Sequence, residues 1–192
     1  LSNLTERYEG YGGSVKKVME QKEKEKGIIG VVADIIKVEK KYETAIETAL
    51  GGNIQNIVTD DEETAKKMIQ FLKMNRLGRA TFLPLTSITN PQEFKNPDAL
   101  KEKGVIGMAD ELVQIADEYR NVAKAMLGRI VVVDNVDNAV TIARKYGYGI
   151  RMVTLEGELL VPGGAISGGA FKNNSNLLGR RREMEELQKK IT

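Results

Sequence analysis

The chain has 192 residues, and its 29 lysines and arginines nearly balance its 27 aspartates and glutamates. The net charge of +2 excludes a protein whose whole surface binds polyanions, and the absence of cysteine and histidine excludes disulfides, thiol nucleophiles, Cys/His zinc sites and imidazole catalysis. No stretch approaches the roughly 18 apolar residues of a membrane span and no signal peptide opens the sequence, so we expect a cytoplasmic protein with no membrane partner.

Residues 1–26 are predicted to form the root of a coiled coil followed by a linker. Apolar residues recur there at alternating spacings of three and four, as in a coiled-coil seam. They are Leu1, Leu4, Tyr8, Tyr11, Val15 and Val18. Gly10, Gly12 and Gly13 interrupt the pattern, so a partly ordered tail with chance periodicity stays open as the alternative. Because Leu1 is not an initiator methionine, we expect a piece of a longer protein.

Two segments in the middle of the chain, 55–69 and 129–143, resemble each other. Each is typical of a buried β-branched strand followed by a capped amphipathic helix. We expect Asp60 and Asp134 to be the N-caps, where an acid satisfies free backbone N–H groups. The run Asp60 to Glu63 also fits paired carboxylates for acid/base or Mg²⁺ chemistry, but capping explains it without a further assumption.

The elements around the two copies also correspond. A helix that stops at a glycine precedes each copy, at 42–50 and 121–127, and a strand entered through a glycine follows each copy, at 80–84 and 150–154. We add strands at 28–38 and 158–161. The predicted fold class is therefore mixed α/β (α+β), with two related subdomains at 27–90 and 105–178. Residues 91–104 are the predicted linker between them.

Residues 179–192 are predicted to begin a returning coiled-coil helix. Apolar residues at heptad spacing are surrounded there by the mixed charge of a solvated helix. These apolar residues are Leu177, Met184, Leu187 and Ile191. Together the two ends indicate that a globular domain is inserted where a long antiparallel coiled coil turns back.

The most unusual segment follows the apolar run 159–161, where four of seven residues are glycine: Gly163, Gly164, Gly168 and Gly169. Glycine weakens a strand, so such a cluster indicates positive φ angles, a bulge or the close approach of another backbone. Neither phosphate-binding pattern, G-x-x-x-x-G-K-[ST] or G-x-G-x-x-G, occurs, so we expect no cofactor here. An ordinary flexible loop and a strand met by another chain both remain open.

Two motifs resemble the hinge domain of structural maintenance of chromosomes (SMC) proteins of the bacterial or archaeal homodimeric type. They are G-R-A-T-F-L-P-L at 78–85 and G-E-L-L-V-P-G-G-A-I-S-G-G at 157–169. Residues 27–34 resemble the entry strand of that hinge and residues 42–51 its following helix. The resemblance covers essentially the whole chain.

The resemblance implies a dimerisation hinge, without catalytic activity of its own, in an ATPase that condenses and segregates chromosomes at the nucleoid. A second copy would contact Gly157, Gly163, Gly164, Ile166, Gly168 and Gly169, and each half of one hinge would meet the opposite half of the other. ATP and Mg²⁺ would belong to head domains outside these residues. Accessory chromosome-organising subunits would bind the full-length protein.

The resemblance also implies weak, sequence-independent DNA contact near the hinge. We expect a basic collar where the coiled-coil roots converge, formed by Lys16, Lys17, Arg180, Arg181 and Arg182. Ordinary surface charge on a helix explains these residues equally well. A different class of function stays open beside the hinge: a small-molecule-binding α/β enzyme or regulatory domain, with its ligand at the strand ends near Asp60 or Asp134.

Overall fold

The fold, taken from a computed structural model that describes residues 11–170 and 177–191, contains two copies of one α/β unit. The first copy consists of β1 (Ile28–Val31), α2 (Val32–Ile35), β2 (Ile36–Val38), α3 (Glu43–Leu50), β3 (Ile57–Thr59), α4 (Glu62–Met74) and β4 (Phe82–Pro84). The second consists of β5 (Val105–Met108), β6 (Val113–Ile115), α5 (Arg120–Leu127), β7 (Ile130–Val133), α6 (Val136–Lys145) and β8 (Arg151–Thr154). The mixed α/β fold class and its repeat are confirmed.

Four further elements stand outside the repeat, one before it and three after it. They are α1 (Gly13–Met19), β9 (Leu159–Leu160), β10 (Ile166–Ser167) and α7 (Leu177–Ile191). Short 3-10 helices flank α3 at Lys40–Tyr42 and Gly51–Gln55, precede α5 at Asp117–Tyr119, and replace α2 in the second copy at Ala109–Leu112. Within the described residues no helix is long and apolar enough to cross a membrane.

The two sheets share a plan but differ in size. In the first sheet β3 pairs antiparallel with β1 and parallel with β4, and in the second β7 pairs antiparallel with β5 and parallel with β8. The second sheet continues through β9 and β10, both antiparallel, so its order is β10-β9-β8-β7-β5. Consequently β8 is covered by its own chain, whereas its counterpart β4 ends the first sheet.

The two copies are joined by a two-stranded sheet, to which each contributes one strand, and by a common core. β2 pairs antiparallel with β6, so that Ile36 lies opposite Ile115 and Val38 opposite Val113. The main core combines residues of both copies, and a smaller core lies between α6 and the second sheet. Within the predicted linker, Pro97–Lys101 forms a 3-10 helix whose Ala99 is fully buried in the smaller core. The predicted subdomains therefore do not have separate interiors.

The segment 28–38, predicted as one strand, is interrupted by the single helical turn α2. The Asp34 carboxylate turns back to accept the N–H of Val31 at 3.2 Å, as a side chain does at a helix start. This break separates β1, which belongs to the first sheet, from β2, which pairs with the second copy. An uninterrupted strand cannot serve both sheets.

Both helix caps lie one residue later than predicted. The N-cap of α4 is Asp61, which accepts the N–H of Thr64 at 2.9 Å, and the N-cap of α6 is Asn135, which accepts the N–H of Asn138 at 2.9 Å. The bond from the Thr64 N–H lowers the pKa of Asp61, because it favours the charged carboxylate.

The reason for this shift is that the preceding acids still belong to the strand ladder. The backbone N–H groups of Asp60 and Asp134 donate to the carbonyls of Gly27 and Gly104, both at 2.8 Å. The Asp134 carboxylate also accepts the N–H of Asn135 at 2.7 Å. The structure therefore gives Asp134 a role within the loop and Asp61 a role as a helix cap.

The glycines that accept these bonds leave no room for a side chain. A Cβ at Gly27 would lie 2.9 Å from the Cβ of Thr64, and a Cβ at Gly104 would lie 2.8 Å from the Cβ of Asn138. These contacts are closer than carbon atoms approach in folded proteins, so the backbone itself would have to move. The same close approach occurs at the same place in both copies.

Replacing Gly27 or Gly104 with alanine is expected to destabilise the domain by about 1–3 kcal/mol, the usual cost of overpacking. Gly52→Ala is the control, because nothing lies within 4 Å of its Cβ position. We expect that control to change stability by less than about 1 kcal/mol. Urea unfolding followed by circular dichroism measures all three variants. Equal stability of Gly27→Ala and Gly52→Ala would contradict the close packing.

Candidate interaction edges and helix roots

The outer side of β4 presents backbone hydrogen-bonding groups. Thr81 and Leu85, on either side of β4, bond to β3 through the Thr81 carbonyl and the Leu85 N–H, both at 2.9 Å. Because backbone groups alternate along a strand, the N–H and carbonyl of Phe82 face away from β3. Pro84 lacks an N–H, which is typical of an edge strand. The edge of the first sheet thus offers one donor and one acceptor at Phe82.

The outer side of β10 has the same property. The N–H of Val161 donates to the carbonyl of Ala165 at 3.1 Å, and Ile166 lies opposite Leu160 in the β9–β10 pair. Alternation therefore directs the backbone groups of Ile166 and Gly168 away from β9. The Ile166 side chain is 53% exposed, although it is apolar. This edge of the second sheet combines outward-facing backbone groups with an exposed hydrophobic side chain.

The glycines around β10 have reasons within their own chain. Positive φ angles, which favour glycine, occur at Gly163 (+102°), Gly164 (+105°) and Gly169 (+138°). Gly157 has φ of +95° and is buried in the turn between β8 and β9. From the sequence, these glycines were expected to allow the close approach of a partner. The structure shows that a positive φ angle already favours glycine at four of the six predicted interface residues.

Gly168 differs from these glycines, because its φ lies outside the left-handed region. A Cβ there would lie 3.1 Å from the Cγ of Glu158, a flexible side chain that can move slightly. Gly168 and Ile166 are therefore the predicted interface residues whose replacement would disturb the chain's own fold least.

Tyr148 is a surface residue beside this edge that the sequence patterns did not indicate. It is 46% exposed, it adopts a positive φ of +58°, and its carbonyl accepts the N–H of Gly163 at 2.9 Å. Together with Val161, Gly164 and Ile166 it borders a small apolar hollow. The sequence feature that could have indicated Tyr148 is the segment 146–149, in which two tyrosines alternate with two glycines after a helix.

The start of α7 is attached to the first copy by charged groups. Arg181 pairs with Asp34, and both side chains are nearly buried, at 9% and 7% exposure. Arg182 pairs with the buried Glu43 at 2.8 Å and also with Glu186 at 3.1 Å. Two of the five residues predicted to contact DNA are therefore held by buried carboxylates of the same chain. Their physical role is to anchor a helix, because a buried carboxylate needs a partner.

A third carboxylate, Glu47 on α3, accepts the backbone N–H of Leu177 at the start of α7. Burial is the main cause that raises its pKa, to about 7, and Glu43 adds to this effect. The backbone N–H groups of Leu177 and Leu178 and the charge of Arg180 act in the opposite direction. Glu47 therefore titrates near neutral pH.

The other root, α1, packs through apolar residues. Leu1, Leu4 and Tyr8 of the predicted heptads lie outside the described residues. Tyr11, Val15 and Val18 are buried in the main core of the domain, so this part of the pattern reflects packing on the domain itself. In α7, Leu178 is buried, whereas Leu187 of the predicted seam is 59% exposed.

The lysines of α1 lie beside the end of α4. The Ser14 hydroxyl donates to the carbonyl of Arg79 at 2.5 Å, and α1 packs against α4. Lys17 forms an exposed ion pair with Glu20 at 3.8 Å. Within the described part of the chain, four other cations on α1 and around the end of α4 have no ion-pair partner: Lys16, Lys73, Arg76 and Arg79.

The sequence matches the family described as "SMC proteins Flexible Hinge Domain" over residues 25–143. It is 42% identical to the chromosome partition protein Smc of Desulfitobacterium hafniense over 98% of this chain, and 42% identical to that of Bacillus subtilis over the whole chain. The chain belongs to the SMC hinge family. It spans 16% of the length of each of these relatives.

Solved SMC hinges have the same fold. The Geobacillus stearothermophilus SMC hinge domain, crystallised as an asymmetric dimer, is 38% identical with a TM-score of 0.87, over 98% of this chain and 77% of that one. The Pyrococcus furiosus hinge domain is 33% identical with a TM-score of 0.68, over 88% and 91% of the two chains. The family resemblance stated from the sequence motifs is thereby confirmed, and the ligand-binding enzyme is set aside.

The raised pKa of Glu47 gives this hinge a pH-dependent stability. A carboxyl whose pKa is higher in the folded state than in the unfolded state stabilises the fold when it is protonated. This stabilisation is complete below the unfolded pKa of 4.5 and is lost as the pH rises through about 7. We expect the free energy of unfolding to fall by about 1 kcal/mol between pH 6 and 8, less than for a fully buried group because Glu47 is partly exposed.

Glu47→Gln is expected to flatten this pH dependence and to be more stable than the original chain at pH 8, because the amide oxygen still accepts the N–H bonds without a charge. Urea unfolding at several pH values measures it, and the absence of histidine keeps imidazole groups from titrating in this window. An unchanged slope in Glu47→Gln would show that another group is responsible.

Proposed function

We propose that this chain is a dimerisation hinge in which β4 of one chain pairs with β10 of a second, identical chain. The observation that carries the proposal is the difference between the two sheets: β8 is covered by β9 of its own chain, whereas its counterpart β4 is an edge. Backbone donors and acceptors at Phe82 on one edge and at Ile166 on the other are available for such pairing. The Geobacillus relative, crystallised as an asymmetric dimer, supports the association of two chains.

A twofold arrangement satisfies both edges at once. If β4 of one chain meets β10 of its partner chain, symmetry brings β10 of the first chain to β4 of the partner. Two contacts then close a ring and cover both β4 and β10, which removes the aggregation hazard that these two edges present. The exposed Ile166 and Tyr148 beside the edge supply apolar area for the contact. Of the predicted glycines, Gly168 lies next to the pairing strand, and Gly157, Gly163 and Gly164 shape the turns on either side of β9.

The whole protein is proposed to act in chromosome partition, as the names of the relatives state for those proteins. In this proposal the hinge joins two long chains of an ATPase whose heads bind ATP and Mg²⁺, and accessory subunits bind elsewhere on the chains. The hinge holds the two chains together near the nucleoid in the cytoplasm. The support is the family membership of this domain, which covers 16% of each relative.

DNA contact is proposed for the α1–α4 surface, defined by Lys16, Lys17, Lys73, Arg76 and Arg79. These side chains are exposed or half-buried, and apart from Lys17 they have no ion pair within the described residues. A cluster of unpaired cations attracts phosphates without reading sequence. Arg181 and Arg182, engaged with buried carboxylates, are omitted from this proposal, and Arg180 stays a candidate beside it.

Ile166→Pro is the sharpest test of the dimer. Proline removes the N–H that faces the partner and leaves the bonds to β9 intact, since those come from Ala165 and Ser167. We expect the mass measured by sedimentation to fall from about twice 21.2 kDa to the monomer value. Circular dichroism checks that the fold is retained.

Ile166→Thr is the matched control, because it keeps the N–H and the β-branched shape. It is expected to remain dimeric with weaker affinity, since its side chain buries less apolar area. A folded Ile166→Pro variant that stays fully dimeric at micromolar concentration would contradict strand pairing at β10. Complete dissociation of both variants would show that burial of the Ile166 side chain, and not backbone pairing, holds the two chains together.

The DNA surface is tested by reversing Lys16, Arg76 and Arg79 to glutamate. Duplex binding in gel shifts is expected to weaken roughly tenfold or more at 50 mM salt, and the slope against the logarithm of salt concentration to fall by about 0.9 for each phosphate that the variant no longer neutralises. The control reverses three exposed lysines outside the α1–α4 surface, Lys101, Lys103 and Lys124, which changes the net charge equally. Equal weakening in both variants would contradict a site on the α1–α4 surface.

A further inference from the structure

Three carboxylates of the first copy hold the start of α7. Asp34 on α2 contacts Arg181, Glu43 on α3 contacts Arg182, and Glu47, one turn further along α3, accepts the N–H of Leu177. We call Asp34, Glu43 and Glu47 the carboxylate clamp. Each member contacts a different residue of α7, so the three contacts are distributed over the first turns of the helix.

The spacing of these contacts determines the direction of the helix. Residues 177 and 182 are separated by about 7.5 Å along a helix axis, which is more than one turn. α3 makes the contacts at both ends of this length and α2 contacts Arg181 between them, so together they restrain tilt as well as rotation. Hydrogen-bonded ion pairs are directional, whereas apolar packing is not.

Because Asp34 and Glu43 of the clamp are buried, each of these charged carboxylates depends on its partner arginine. The side chains of Asp34 and Glu43 are 7% and 5% exposed, so each is costly to leave without its arginine. The apolar contribution at this root comes chiefly from Leu178, which is buried in the main core. By contrast, Val15, Val18 and Met19 bury the α1 root in that core. The two roots of the hinge are therefore attached by different interactions.

We propose that the carboxylate clamp is a conformational latch, which sets the direction in which α7 leaves the domain and releases α7 without unfolding the sheets. The core of the domain does not depend on it, because α3 is anchored by Ala45, Ile46 and Leu50, all of them buried. A change of charge at the clamp would thus free the helix root alone. This inference concerns one chain and does not depend on the proposed dimer.

The experiment measures the direction of α7 by electron paramagnetic resonance between two spin labels. The chain has no cysteine, so Gln70→Cys on α4 and Leu187→Cys on α7 label only these exposed positions. With the clamp intact we expect one narrow distance distribution. Arg181→Asp is expected to broaden it at least twofold, and combining it with Asp34→Arg, which restores an opposite-charge pair, is expected to narrow it again.

Lys37→Glu is the matched control, because Lys37 is exposed beside the groove between β2 and α7 and has no ion pair within the described residues. It should leave the distribution unchanged. Hydrogen exchange of β7 is measured in parallel, and protection there is expected to be retained in every variant. If Arg181→Asp unfolds the domain, the milder Arg182→Gln is measured in its place, with broadening again expected.

Two results would overturn the proposal. The first is a narrow distribution in a folded Arg181→Asp or Arg182→Gln variant, which would show that apolar packing alone directs α7. The second is a loss of exchange protection in β7 in both variants, which would show that the clamp holds the fold and not the helix direction. Performing the measurement again in the Ile166→Pro background separates these outcomes from any effect of dimerisation.

Discussion

The unpaired edge of β4 is the constraint on which the remaining structure depends. Backbone groups of a strand edge require partners, and proteins cover such edges or use them for association. The duplicated unit creates this edge twice, once at β4 and once at β8. Only the second copy continues into β9 and β10, which cover β8 and create a new edge one hairpin further out. The strands that end the two sheets on this side therefore differ, β4 in the first sheet and β10 in the second.

The duplication also explains why the halves form a single body. The pairing of β2 with β6 relates the two copies by an approximate twofold axis, with Ile36 opposite Ile115 and Val38 opposite Val113. The main core then draws on residues of both copies, so neither half buries its apolar surface alone. Sharing a core in this way keeps β4 and β10 in a fixed relation to each other, which pairing at two places simultaneously requires.

The repeat and the order of its elements could be predicted from the sequence, because they rest on local signals: β-branched runs, amphipathic spacing and glycines at helix ends. The cap positions could not be predicted to the residue. Asp60 and Asp134 are good caps in isolation, but their N–H groups donate to Gly27 and Gly104, which are distant in sequence. The break at Asp34 has a similar origin, since only the fold shows that β1 and β2 serve different sheets.

The interface segment stays a prediction, and the structure gives most of its glycines a different physical reason from the one expected from the sequence. A cluster of glycines indicates an unusual backbone conformation, but the sequence alone does not distinguish a turn from a close contact with another chain. At Gly163 the positive φ supplies the turn, while Ile166 supplies the exposed edge. For the arginines of α7, the sequence suggested an external partner where the structure shows a partner within the chain. Basic residues at a helix surface suggest a phosphate partner, but their buried carboxylates come from positions well over a hundred residues earlier.

The place of α3 connects these observations. Its Glu43 and Glu47 hold α7, and the neighbouring Thr48 lines a hollow of about 260 Å³ together with Ser167 and Gly168 at the β10 edge. One short helix thus holds the start of α7 and lines the hollow beside the strand proposed to meet a partner. Ala45, Ile46 and Leu50 bury the same helix in the main core. Apolar packing therefore fixes the position from which its carboxylates hold α7.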